Sequence, residues 1–191
     1  MTINQTHFEN TIKKFSVVED ARGKLWNKAR NLLLGGYETE AYILILATWN
    51  FAGFRFFLKK FNLTKFENTL KKLNPIFNKI KKETFECVDF KSKDLQKDIK
   101  LIYSKLKKFV GQTGASKIMA LKNPNLFVMW DTEIRKMYRI DNQAKPDDYI
   151  EFLQRMKNEF KGIKWQDKKR PFAKVIDEYN YVKAEERRNS E

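Results

Sequence analysis

Cysteine and histidine each occur once in the 191 residues, as Cys87 and His7. A lone cysteine excludes a disulfide framework, a cysteine-rich zinc site and a cysteine-held iron–sulfur cluster. A lone histidine near the N-terminus argues against Ser-His-Asp and Cys-His nucleophiles. Carboxylates, lysines and hydroxyls are left to carry any chemistry, and no cofactor or side-chain metal site is expected. Long apolar runs are missing too. The longest, Ala41 to Ala47, is far shorter than the roughly 20 residues that a bilayer crossing needs. The opening M-T-I-N-Q-T-H-F lacks the basic and apolar regions of a signal peptide. The expectation is a cytoplasmic protein with no membrane partner and no obligate protein partner. No repeat, low-complexity tract or long linker breaks the chain.

The residues that are abundant point to a packed, basic domain. With 42% hydrophobic and 14% aromatic residues disorder is not expected, and the length suits one compact domain over 1–191, with room for two helical lobes around a cleft. The formal charge of +15 and pI near 9.7 suggest a polyanionic partner, nucleic acid first. A lysine-rich, heat-adapted surface is the competing explanation.

Apolar residues recurring at three and four positions make the chain all-α. Ala21, Leu25, Ala29, Leu32 and Leu33 share one helical face, which Gly35-Gly36 ends. The stretch Glu38 to Phe61 is apolar nearly all round in its first half, as a buried helix would be, with Gly53 expected to end or kink it; a buried strand over Tyr42 to Ala47 is the rival. Phe66, Leu70, Leu73 and Phe77 form another face, and Pro75 is expected to break or bend that segment into two short helices. A long helix over Asp94 to Val110 carries Leu95, Ile99, Ile102, Leu106 and Phe109. Helices are also expected over Glu133 to Arg139, from Pro146 to Phe160, and from about Pro171 onward.

The stretch 108–139 says most about function. A glycine-punctuated turn, Gly111 to Gly114, joins the long helix to a shorter one carrying Lys117, and amides at such a turn suit a phosphate. From Lys100 to Lys122 there are six lysines and no acid, which reads either as a polyanion-binding face or as a solvated one. The apolar run Leu126 to Trp130 then ends on Asp131. This aspartate is either an N-cap for the next helix or a cap and a working carboxylate at once. The glycines equally suit an ordinary interhelical turn, and the aromatics equally suit a core.

V-G-Q-T-G-A-S-K followed by D-T-E-I-R resembles the hairpin, the next helix and the aspartate of the helix-hairpin-helix DNA glycosylase superfamily. Sixteen positions separate Ala115 from Asp131, as in its endonuclease III branch. The resemblance covers about thirty residues. It implies a helix-hairpin-helix motif around residues 94–122 and a DNA partner, in duplex form with a flipped base. It also implies a catalytic role for Asp131 in stabilising the cationic sugar as the N-glycosidic bond breaks. Lys108, Gly111, Thr113, Gly114, Ala115, Ser116 and Lys117 would then contact DNA, and Trp49, Phe54 and Trp130 are candidates to stack on the base.

The chain departs from that pattern in two places. Thr113 stands where bifunctional members carry their Schiff-base lysine, which implies a monofunctional hydrolase. Phe109 stands where the first hairpin glycine is usual. The alternative is a non-catalytic nucleic-acid-binding protein on the same scaffold.

Overall fold

The computed structural model describes residues 3–18, 20–167 and 169–190. Among them are nine helices and no strand: α1 Gln5–Val18, α2 Asp20–Leu34, α3 Glu38–Trp49, α4 Phe51–Leu58, α5 Leu63–Lys79, α6 Lys93–Lys122, α7 Thr132–Met137, α8 Pro146–Glu159 and α9 Phe172–Arg188. The all-α expectation holds, and Tyr42 to Ala47 is helix. No described helix is long and apolar enough to cross a membrane.

α6 is the hub, packing against α2, α3, α4, α5 and α8, while α9 packs against α1 and α7. The spacing of its apolar residues explains this position. Leu95, Ile99, Ile102 and Leu106 form one buried stripe, and beyond Val110 nearly every residue is buried. One continuous core runs from Phe8 in α1 to Ala184 in α9.

Three breaks differ from expectation. α3 ends at Trp49, and Asn50 leaves helical geometry with φ −143° and ψ 32°. Gly53, expected to be the break, lies inside α4; a Cβ there would stand 2.8 Å from the Asn50 side-chain oxygen. Pro75 does not split α5, which runs through it. Phe66, Leu70, Leu73 and Phe77 are all buried on one side of that helix. At roughly 1.5–3 kcal/mol for each large apolar side chain buried, their shared stripe outweighs the roughly 3 kcal/mol a mid-helix proline costs.

The third difference concerns the glycine turn. α6 consists of two helical arms, 93–110 and 112–122, that meet at Gly111 with φ 69° and ψ 178°, a conformation essentially closed to other residues. The turn is therefore one residue long. Gly114 is helical and serves close packing instead, since a Cβ there would fall 2.8 Å from Val110 Cβ and 2.9 Å from Leu46 Cδ2.

Glu38 ties three helices together at the far end of α3. It accepts from Asn74 of α5 at 3.2 Å and from Lys122 of α6. Burial alone would raise its pKa, but the Lys122 and Asn74 hydrogen bonds bring it below the ordinary carboxylate value.

Candidate functional site

Between the second arm of α6 and α7 runs a non-helical segment whose residues Leu126, Phe127, Val128, Met129 and Trp130 are almost wholly buried. The Leu126 and Phe127 amides both donate to the Asn123 carbonyl, at 3.0 and 3.2 Å, and side chains meet the Val128 carbonyl and the Trp130 amide and carbonyl. Tyr149 donates to the Val128 carbonyl at 2.9 Å. Ser116 donates to the Trp130 carbonyl at 3.1 Å, and its hydroxyl accepts from the Trp130 amide at 3.3 Å. The segment thus passes through the core and emerges at Asp131.

Asp131 is half-buried and caps α7, its Oδ1 accepting from the Ile134 amide at 2.8 Å. No described residue donates to Oδ2. The residue lines a recess of about 320 Å³ that also takes in Trp49, Asn50 and Phe51 from the α3–α4 break, Thr113 and Lys117 from α6, and Asp177 and Tyr181 from α9. Four chain segments that are distant in sequence therefore converge on one concavity.

Lys117 is 5% exposed. Its ammonium donates to the Trp49 carbonyl at the end of α3 and lies 5.8 Å from the Trp49 ring centre. Asp177 is 4% exposed and accepts from Lys174 at 3.0 Å through Oδ2. Burial lifts the Asp177 pKa to about 6, against the pull of Lys174 and Lys117 and with a further push from Glu178. Lys174 also pairs with Glu178 at 3.3 Å and sits 4.5 Å from the Trp49 ring centre. Glu178 in turn accepts from Arg170 at 3.2 Å. Within this chain of alternating charges the Lys174 ammonium lies 5.2 Å from the Phe15 ring centre and 5.3 Å from that of Trp26. Such a buried ionic array survives only because each charge has a partner.

The sequence-derived residues divide clearly. Asp131, Thr113, Lys117, Trp49 and Trp130 meet at the recess. Trp130, however, contributes no stacking surface: its ring is fully buried against Tyr103, Tyr149 and Phe152, and its indole N–H donates to the Gln112 carbonyl. Phe54 lies in the core beside Phe61 and does not line the recess. Gly111, Gly114, Ala115 and Ser116 are buried, and the Ser116 hydroxyl already serves Trp130, so these four do not present the open phosphate cradle expected of them. Lys108 is exposed and lies outside the recess lining.

The run of six lysines is less available than its charge suggests. Lys100 pairs with Asp147, Lys107 donates to the Ala144 carbonyl at 3.1 Å, Lys122 pairs with Glu38, and Lys117 is buried. Lys105 and Lys108 remain on the surface.

Sequence reasoning missed Asn50, Phe51 and Asp177. Phe51 is 64% exposed at the rim of the recess and is the aromatic ring best presented to a ligand there. Its signal lay in W-N-F, a polar residue interrupting an otherwise apolar helix. Asp177 carried no signal of burial, because Lys174, Asp177 and Glu178 at helical spacing read as an exposed ion-pair face.

No protein-family model, curated protein or solved structure matches the chain.

Proposed function

We propose that the protein is a monofunctional DNA glycosylase acting on a base flipped out of duplex DNA. The observation that carries this reading is that Thr113 and Asp131, eighteen positions apart in the chain, line the same recess. These are the two positions that the resemblance to the helix-hairpin-helix glycosylases assigns to the sugar-attacking lysine and the aspartate, and Gly111 supplies a one-residue turn between two helical arms just ahead of them.

In this mechanism a base enters beside Phe51 and Trp49, and the Asp131 carboxylate faces the sugar. As the C1′–N bond breaks, its electron pair leaves with the base and positive charge grows on the sugar. An ionised carboxylate in a partly dry recess stabilises that charge strongly. Water then attacks C1′ and passes a proton to Asp131. With threonine at position 113 no amine attacks the sugar, so the product is an abasic site with an intact backbone. Lys105 and Lys108 supply phosphate contacts, each worth about 0.9 in the slope of log K against log salt.

The test is a set of labelled duplexes, each carrying one oxidised, deaminated or alkylated base, treated with alkali to reveal abasic sites. The wild-type protein is expected to cut at one lesion class, and Asp131→Asn to lose that activity while binding the same duplex as tightly. A borohydride-trapped adduct would overturn the monofunctional assignment. Tight, salt-sensitive duplex binding with no excision of any lesion would favour the second reading, a non-catalytic DNA-binding protein, for which the net charge of +15 is the supporting observation.

A further inference from the structure

The phosphate cradle that the resemblance implies is closed, because Gly111, Gly114, Ala115 and Ser116 are buried. Cationic surface without acids lies elsewhere, at the corner where α4 leads into α5. Between Glu40 and Glu67 the chain has no acid and four cations, Arg55, Lys59, Lys60 and Lys65, all exposed. The ammonium groups of Lys59, Lys60 and Lys65 pair with no described residue, unlike those of Lys100 and Lys122 in α6, which pair with Asp147 and Glu38. Glu67, the first acid beyond the corner, is half-buried and accepts from the Thr39 hydroxyl at 3.3 Å.

The corner also presents apolar side chains to solvent. Phe51, Leu58 and Leu63 are three of the seven large hydrophobic residues exposed among the described residues. A chain of ring contacts fixes where the corner sits: Phe54 to Phe61 at 6.2 Å, Phe61 to Phe66 at 5.2 Å and Phe66 to Phe109 at 5.7 Å. The start of α5 is thereby set against the arm of α6 that carries Lys105 and Lys108. At its other end the corner begins with Phe51, which lines the same recess as Asp131.

We propose that the α4–α5 corner, rather than the glycine turn, grips the DNA backbone, with Lys59, Lys60 and Lys65 on phosphates and Leu58 and Leu63 against the sugars of the strand leading to the recess. This assignment rests on the flipped-base reading and names the face on which its duplex docks. Lysines with no acid among them attract a polyanion and release its counterions. The leucines between them gain from burial against sugar carbons, and the recess at the edge of the same surface receives the nucleotide that the strand delivers. An anionic lipid surface also joins positive charge to apolar contact, but it has no group to place in that recess.

The experiment follows the fluorescence anisotropy of a labelled, undamaged duplex titrated with the full chain at several salt concentrations. Lys59→Gln, Lys60→Gln and Lys65→Gln together are expected to reduce the slope of log K against log salt by about 2 to 3, at about 0.9 for each phosphate contact. Lys81→Gln, Lys82→Gln and Lys91→Gln, at exposed positions beyond the far end of α5, remove the same charge and are expected to leave the slope nearly unchanged. Leu58→Ser with Leu63→Ser is expected to lose about fivefold or more in affinity while keeping the slope.

The same slope in the wild type and the corner lysine variant, an equal fall in both lysine variants, or no binding of the duplex by the wild type overturns the assignment. So does binding of the wild type to vesicles of phosphatidylserine and phosphatidylcholine in equal parts, if the corner lysine variant loses it and keeps its duplex binding. The lesion-duplex assay run alongside separates the two ideas. Excision of a lesion with an unaltered slope in the corner variant leaves glycosylase activity standing and removes the docking face. A slope lost at the corner with no lesion excised keeps the docking face and removes the activity.

Discussion

Arg135 donates from Nη1 to the Thr113 hydroxyl at 3.0 Å, so the helix that follows Asp131 is tied to the helix that follows Gly111. Arg135 is 5% exposed as a residue, and its guanidinium also donates to Thr132 at 3.2 Å and lies 5.6 Å from the Trp130 ring centre. Burial lowers its pKa, while Tyr103 and Asp131 act the other way. Thr113→Val keeps the shape of the side chain and removes the acceptor. It should destabilise the protein by roughly 1–3 kcal/mol, the usual range for stranding a buried donor, whereas Thr132→Val, at an exposed position, should cost less. Urea unfolding of the two variants checks this; equal, small losses would show that the contact does not hold the two helices together.

The two roles of Asp131 can be separated by substitution. As a cap, its Oδ1 accepts the Ile134 amide at 2.8 Å, a task asparagine performs as well. As a working carboxylate it needs its charge. Asp131→Asn should therefore melt with the wild type while losing excision, and Asp131→Ala should lose both excision and about 1 kcal/mol of stability. A thermal melt in which the asparagine variant falls as far as the alanine variant would mean that the charge matters to folding, and the loss of activity could no longer be assigned to chemistry.

Three glycines should respond to alanine in different ways. Gly111→Ala forces a Cβ into φ 69°, ψ 178° and should cost roughly 1–3 kcal/mol through backbone strain. Gly114→Ala meets Val110 and Leu46 below 3 Å and should cost roughly 1–3 kcal/mol through overpacking. Gly23, within α2, has nothing within 4 Å of where a Cβ would sit. There alanine should stabilise by about 1 kcal/mol from helix propensity alone. Calorimetry that finds all three destabilising would contradict the open surroundings of Gly23.

The contrast among those glycines shows what was legible in the sequence. Spacing alone identified the buried stripe of Leu95, Ile99, Ile102 and Leu106, because a helix face repeats every three to four residues whatever it packs against. It also drew attention to Asp131, since an aspartate between an apolar run and a helix has few structural alternatives. Pro75 and Gly53 misled for a common reason. Both are local signals: the shared buried stripe of α5 carried the helix through Pro75, and the break near Gly53 fell three residues earlier, at Asn50. Ser116 was legible as a polar residue but not as the clamp on Trp130, because its partner lies fourteen positions away. Asp177 was invisible as a recess residue for the same reason, since Trp49, Thr113, Lys117 and Asp131, which share its recess, all lie far from it in the chain.

The raised pKa of Asp177 has a stability consequence of definite sign. Its carboxyl moves from an ordinary value of 3.8 to about 6 in the fold, so between those values the folded protein holds the proton more tightly than the unfolded chain does. The stabilising effect of that proton is therefore complete below about pH 4 and disappears as the pH rises through about 6. Glu186 behaves oppositely: Lys14 and Lys183 hold its pKa down to about 2, so its contribution is present above the ordinary glutamate range and is lost in strong acid. The groups facing Asp177 are Lys174 and Glu178 from its own helix and Lys117 from α6, and none of these is altered in Asp177→Asn. Subtracting the unfolding free energy of that variant from that of the wild type at several pH values cancels Glu186 and the remaining carboxylates. The difference should fall steadily from pH 4 to pH 6 and level off above. A difference that stays flat over that window would mean that Asp177 is already fully ionised in the fold at pH 4, held so by the two lysines more strongly than burial opposes it.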